Sequence, residues 1–140
     1  MIPLVLDLLD RHLVIFGGGE VALRKARYFE DETEVTVVSL DFHPGFGEMS
    51  VRRVEGDART LAPGMLDKAD LVIAATDDAE LNQWICDLAR SKGKMHNQAN
   101  GVGSFLIPSV VDKGAYMVAI STLGRSPGLS RYLRSRLEEE

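Results

Sequence analysis

Cysteine is nearly absent from this chain. Cys86 is the only one in 140 residues, which excludes an internal disulfide and a cysteine-built zinc cage and fits a reducing, cytoplasmic compartment. Histidine is scarce too. His12, His43 and His96 are scattered with no metal-ligand spacing, so no metal centre is expected. No apolar run approaches the roughly 20 residues that a membrane helix needs. No basic region precedes Ile2-Pro3-Leu4-Val5-Leu6, so the start does not read as a signal peptide. A basic excess is also missing: 16 Lys and Arg against 21 Asp and Glu leave a net charge of −5, which argues against general nucleic-acid binding. There is no nucleophile elbow, Walker lysine or zinc-protease motif.

What remains is a composition of 45% hydrophobic and 26% charged residues, that of a soluble globular protein. Apolar runs alternate with helical patterns, the mark of βαβ organisation. Strands are expected at His12–Phe16, Glu34–Ser39, Val51–Val54, Leu71–Ala75 and from Lys94 to Asn97. Helices are expected over Glu20–Glu30, with Val21, Ala22, Ala26 and Phe29 inward, and over Asp78–Ser91, with Leu81, Trp84, Ile85 and Leu88 inward. Cys86 fits an apolar helix position, an inert core thiol. The last third changes character. Phe105–Val111 and Tyr116–Ser121 read as strands of a hairpin around Asp112-Lys113-Gly114, and Ser126-Pro127 opens a helix to about Leu137.

The stretch Leu-Val-Ile-Phe-Gly-Gly-Gly-Glu-Val-Ala (13–22) runs an apolar strand into a glycine turn and a helix. Gly17, Gly19 and Ala22 fit the G-x-G-x-x-G/A dinucleotide fingerprint. Gly17 permits the turn, Gly19 lets backbone approach a pyrophosphate, and Ala22 lets the helix lie close on the strand. The helix start offers free N–H groups and partial positive charge to phosphates. Asp41 stands about twenty residues beyond the glycines, where an acid binds the ribose hydroxyls, and no basic residue adjoins it; NAD is preferred over NADP. Asp41 equally suits the start of the loop 41–47. Thr76-Asp77-Asp78 ends another buried strand; Asp78 reads as a helix cap, and Asp77 stays open between a cap and a site carboxylate. His96 could act as a general base, though a lone histidine on a short strand is more often structural. Lys113, Arg125, Arg131, Arg134 and Arg136 follow one another with no acid between them, fitting either an anionic small molecule or a solvated helix face.

Beyond these features the chain resembles the precorrin-2 dehydrogenase / siroheme synthase N-terminal family. The likeness runs through Ile-Pro-Leu-Val-Leu-Asp-Leu (2–8), a leader strand in that family, and Val-Ile-Phe-Gly-Gly-Gly-Glu-Val-Ala-Leu-Arg-Lys-Ala-Arg (14–27). It continues in Asp-Leu-Val-Ile-Ala-Ala-Thr-Asp-Asp (70–78) with Leu81-Asn82, Ser-Phe-Leu-Ile-Pro-Ser (104–109), Ala-Ile-Ser-Thr (119–122) and Gly-Arg-Ser-Pro-Gly-Leu (124–129). The resemblance implies an α/β fold: a Rossmann-like parallel sheet flanked by helices over residues 1–102, then a short β-rich dimerisation and substrate segment and a C-terminal helix over 103–140. It implies NAD-dependent oxidation of precorrin-2, an octacarboxylate tetrapyrrole, to sirohydrochlorin in a homodimer.

By the matching motifs, Gly17, Gly18, Gly19, Glu20 and Val21 would hold the pyrophosphate, Leu40 and Asp41 the adenosine ribose, and Ala75, Thr76 and Asp77 the nicotinamide side. Ser121, Thr122, Arg125 and Ser126 would face the tetrapyrrole. Many members carry a catalytic aspartate where Asn100 stands here. Asparagine cannot take a proton as a carboxylate does, so His96, Asp77 or a water takes it, or no base is needed; with Asn100 at the aspartate's place, Asn100, His96 and Asp77 are the catalytic candidates, and metal chelation is the activity that this substitution argues against. Members commonly continue into a longer helical region; this sequence ends at Glu140, just past the first such helix. The alternatives are a ferrochelatase or cobaltochelatase acting on sirohydrochlorin, and a non-catalytic NAD-sensing domain.

Overall fold

The computed structural model describes residues 1–100 and 103–140, which form two compact units, Met1–Phe105 and Leu106–Glu140. The domain boundary expected after Val102, and Gly101 before it, lie outside the described residues.

The first unit is a 5-stranded parallel sheet. Its strands are β1 (His12–Phe16), β2 (Glu34–Ser39), β3 (Arg52–Glu55), β4 (Leu71–Ala74) and β5 (Met95–Gln98). The order β3-β2-β1-β4-β5 shows why β1 and β4 read as continuous apolar runs. They are central, covered on both faces, and every residue from Leu13 to Phe16 is buried. The chain winds outward from β1 to β3, then returns to place β4 on the other side of β1. That reversal is the switch point where doubly wound sheets bind ligands.

Helix α1 (Glu20–Phe29) buries Ala22, Leu23, Ala26 and Phe29. Val21, expected inward, is exposed because it lies on the first turn at the sheet's rim. The sequence reading missed α2 (Ala58–Asp67) altogether, since Pro63 and Gly64 interrupt it. Asp57 caps it by accepting from the Arg59 N–H at 2.9 Å, and Ala58, Ala62 and Leu66 bury one stripe in the core cluster around Val14, Phe16, Val72 and Ile85. That burial overrides the local helix breakers. In α3 (Ala79–Ser91), capped by Asp78 as expected, the inward stripe is Asn82, Ile85, Cys86 and Ala89. Trp84 is 38% exposed and Leu81 and Leu88 only pack at the cluster's margin, because the helix is turned to bring Asn82 inward.

The second unit pairs β6 (Ser109–Asp112) antiparallel with β7 (Met117–Ile120), with α4 (Pro127–Glu138) beside them. The first of these strands starts later than expected: residues 105–108 carry no strand, and Pro108 has no N–H for a ladder. The leader 2–8 likewise forms no strand; Ile2, Leu4 and Val5 are exposed and no described strand pairs with it. Only Val111 is buried in the second unit, and α4 buries nothing.

Candidate functional site

β1 ends at Phe16, and the chain turns into α1 within three glycines. Gly17 adopts φ +128°, and its N–H donates to the Val38 carbonyl at 2.9 Å. A Cβ there would run into the Ala75 carbonyl. One on Gly18 would run into the Asp41 carbonyl and the Ser39 side chain. At Gly19, by contrast, a Cβ meets nothing within 4 Å. Gly19 is also the N-cap of α1, and no side chain caps it, so the first-turn N–H groups face outward without intrahelical acceptors. Open space, no Cβ and unpaired donors at one helix start are what a pyrophosphate requires. Glu20 and Val21, on that first turn, are exposed.

β2 delivers the next pair. Leu40 is 68% exposed, and the Asp41 carboxylate is exposed with no hydrogen bond among the described residues. His43 donates its backbone N–H to the Gly18 carbonyl at 2.6 Å, tying this loop to the glycine turn. Sequence distance hid one cation here: Arg27 on α1 reaches the loop at Gly45.

At the end of β4, the Ala75 N–H donates to the Phe16 carbonyl at 2.8 Å. Thr76 does not present a free hydroxyl. Its Oγ1 donates to Asn82 Oδ1 at 2.6 Å and accepts from the Asp78 N–H at 3.2 Å. Asp78 Oδ1 caps α3 by accepting from the N–H groups of Glu80 and Leu81 at 3.0 and 3.1 Å, while Oδ2 pairs with Arg59 at 3.1 Å. Asp77 is exposed, and its carboxylate makes no bond among the described residues.

The three residues expected to be catalytic are not together in character. Asp77 and Asn100 are exposed after β4 and β5 respectively. His96 is 3% exposed, inside the sheet and short of the strand's end. Its Nδ1 lies 3.2 Å from the Lys94 carbonyl and 3.3 Å from Ser104 Oγ, and Nε2 is buried without a partner among the described residues. Sequence reasoning missed Lys25 and Asn97. The Lys25 ammonium donates to Asn97 Oδ1 at 2.6 Å, and Asn97 Nδ2 donates to the Phe105 carbonyl at 3.0 Å. Burial, and then the neighbouring Arg24 charge, lower the Lys25 pKa. Its position, three residues after buried Ala22 and next to Ala26, was the available signal. Burial pushes the Cys86 thiol up to about 11, so at neutral pH it stays protonated and inert.

In the second unit a cavity of about 360 Å³ is lined by Ile107, Ser109, Ser121, Thr122, Ser130 and Arg131, among others. Ser121 and Thr122 thus share one cavity wall. Ser126 is engaged as the cap of α4, accepting from the Leu129 N–H at 3.2 Å, and its own N–H donates to Thr122 Oγ1 at 3.0 Å. Leu123 and Gly124 both take positive φ, +57° and +76°, so that the chain doubles back before α4. Arg125 is exposed beside this turn. Arg134 pairs with Glu138 at 2.9 Å, whereas Arg131 has no ion-pair partner among the described residues. No group of three or more His, Cys, Asp or Glu side chains among the described residues could hold a metal.

The chain is 42% identical to the precorrin-2 dehydrogenase of Methanosarcina barkeri over 98% of its length and 65% of that protein's. It is 40% identical to the siroheme synthase of Thiobacillus denitrificans, again over 98% of its own length but only 29% of that protein's. It thus spans less than two thirds of each of these relatives. Among solved structures, SirC, a precorrin-2 dehydrogenase, superposes with a TM-score of 0.80 at 25% identity, covering 99% of this chain and 70% of that one. A family model described as putative NAD(P)-binding matches residues 4–109. Because that match takes in every strand of the parallel sheet and the open turn at its rim, the chain belongs to the putative NAD(P)-binding family.

Proposed function

We propose that this chain oxidises precorrin-2 to sirohydrochlorin with NAD as acceptor. The observation that carries the proposal is the uncapped α1 start with open space at Gly19, in a chain that matches a precorrin-2 dehydrogenase over 98% of its length. Bound NAD+ would take a hydride from the tetrapyrrole, and a proton would leave with it. The protein's part is binding, orientation and a proton acceptor. The first-turn N–H groups of α1 hold the pyrophosphate, and Gly19 lets it come close. Asp41, free of other bonds, accepts from the ribose hydroxyls, which favours NAD over a 2′-phosphorylated cofactor. Leu40 offers an apolar surface beside it. The corner Ala75–Thr76 fixes the nicotinamide side. Asp77 is the proton acceptor in this reading, since its carboxylate is exposed and uncommitted, whereas Asn100 has no basic group and His96 is enclosed.

Ser121, Thr122 and Arg125, with the unpaired Arg131, receive the substrate's carboxylates. The second unit buries almost nothing of its own, and a two-stranded hairpin with one helix is marginal alone. We therefore infer that it pairs with a second copy, giving a homodimer. No helix among the described residues is long and apolar enough to cross a membrane, and the lone reduced thiol fits a cytoplasmic enzyme.

The test is anaerobic mixing of the protein, precorrin-2 and NAD+. NADH absorbance rising together with the sirohydrochlorin spectrum is the expected result. Binding of NADH without turnover would assign the chain to nucleotide sensing, and no binding at all would overturn the dinucleotide reading.

A further inference from the structure

One buried polar side chain of the first unit lies outside every site residue named so far. Asn82 is 1% exposed, on the first turns of α3. Its Oδ1 accepts from the Thr76 N–H at 3.0 Å and from Thr76 Oγ1 at 2.6 Å, and its Nδ2 donates to the Thr76 carbonyl at 3.0 Å. One carboxamide thus satisfies both backbone groups of a single residue, as a neighbouring strand would. It does so where β4 has just ended and no strand continues. A half-buried backbone N–H and C=O left unpaired there would each carry a desolvation cost, which an inward asparagine removes.

The corner that Asn82 holds touches the nucleotide rim on two sides. Ala75, next to Thr76, donates to the Phe16 carbonyl, and its own carbonyl is the group against which Gly17 is packed. Asp77, on the other side, hangs between Thr76 and the Asp78 cap. We propose that Asn82 is a positioning residue that fixes the Ala75–Asp77 corner, and through it both the glycine turn and the Asp77 carboxylate, for nucleotide binding and hydride transfer. This role rests on the dinucleotide reading above. Asn82 itself touches neither cofactor nor substrate in this scheme. Aspartate should be a poor substitute despite its shape, because it sets a carboxylate oxygen against the Thr76 carbonyl where Nδ2 donates.

The experiment compares Asn82→Asp and Asn82→Ser with Ile85→Val, a core change on the same helix. NADH affinity is read by fluorescence titration below each variant's melting temperature, and kcat and KM are read where turnover is measured. Asn82→Asp is expected to weaken NADH binding tenfold or more and to lower kcat; Asn82→Ser, which keeps one acceptor, falls between it and the wild type. Ile85→Val loses thermal stability but keeps the wild-type dissociation constant. Unchanged NADH affinity in a folded Asn82→Asp, or an equal loss in Ile85→Val, overturns the positioning role and leaves the nucleotide site standing. Wild-type protein that does not bind NADH overturns both.

Discussion

Gly18 and Gly19 stand side by side, yet a methyl group on the first would meet the Asp41 carbonyl and Ser39 whereas one on the second would meet nothing. The fingerprint assigns the cofactor to Gly19 and leaves the residue before it free. Packing says that the free position is the more constrained for folding. Gly18→Ala is expected to destabilise the protein by about 1–3 kcal/mol, as overpacking against fixed backbone does. Gly19→Ala should cost less, about 0.5–1 kcal/mol, since its φ of −88° is open to alanine but alanine caps a helix start poorly, while NADH binding weakens roughly tenfold, about 1.4 kcal/mol. Thermal melts and a calorimetric titration on the pair separate the two roles. The opposite ordering would mean that the cofactor approaches at Gly18. Thr76 teaches a related lesson. Its residue type and place at a strand end suit a cofactor contact, but its hydroxyl is already bonded to Asn82 and the Asp78 N–H.

Among the elements, α2 shows tertiary packing winning over local propensity. Pro63 lacks the N–H that would reach back to Arg59, and an interior proline costs a helix about 3 kcal/mol. Ala62 and Leu66, fully buried on the inner stripe, offset it. Pro63→Ala should therefore raise stability by about 1–2 kcal/mol, the restored hydrogen bond outweighing the added freedom of the unfolded chain. A thermal or urea melt reads it. A lower midpoint would show that the ring's own packing matters more than the missing donor. Elements with a single strong signal were legible in the sequence: β1 and β2 lie where their β-branched runs put them, and Asp78 and Ser126 cap α3 and α4 as read. Those with conflicting signals were not. Pro63-Gly64 hid a helix, and the apolar run ending in Pro108 mimicked a longer strand.

For the whole molecule, the contrast between the two units matters most. The first has a closed core under a five-stranded sheet; the second exposes Tyr116, Met117, Leu129, Tyr132 and Leu133 at 37–61% and buries one valine. The proposed dimer rests on that exposed apolar surface. Leu133→Glu should convert the proposed dimer to monomer by scattering-derived mass while NADH binding by the first unit survives; a wild type that is already monomeric at micromolar concentration removes the dimer. The net charge of −5 also takes on meaning at this scale. The acidity belongs to the first unit, whereas the second holds five basic against four acidic residues, with Arg125 and Arg131 exposed.

Residue order along the chain specifies the parallel α/β sheet, the glycine turn and the caps of α3 and α4, because hydrophobic periodicity and turn chemistry act over a few neighbouring residues. Tertiary structure alone decided which groups at the rim remain free to act. Asp77 makes no bond among the described residues, Thr76 is engaged by Asn82, His96 is enclosed beside Ser104, and Lys25 reaches Asn97 across 72 positions of chain. Hydrogen-bond saturation depends on partners that only the folded chain brings within about 3 Å, and no spacing along the sequence encodes that distance.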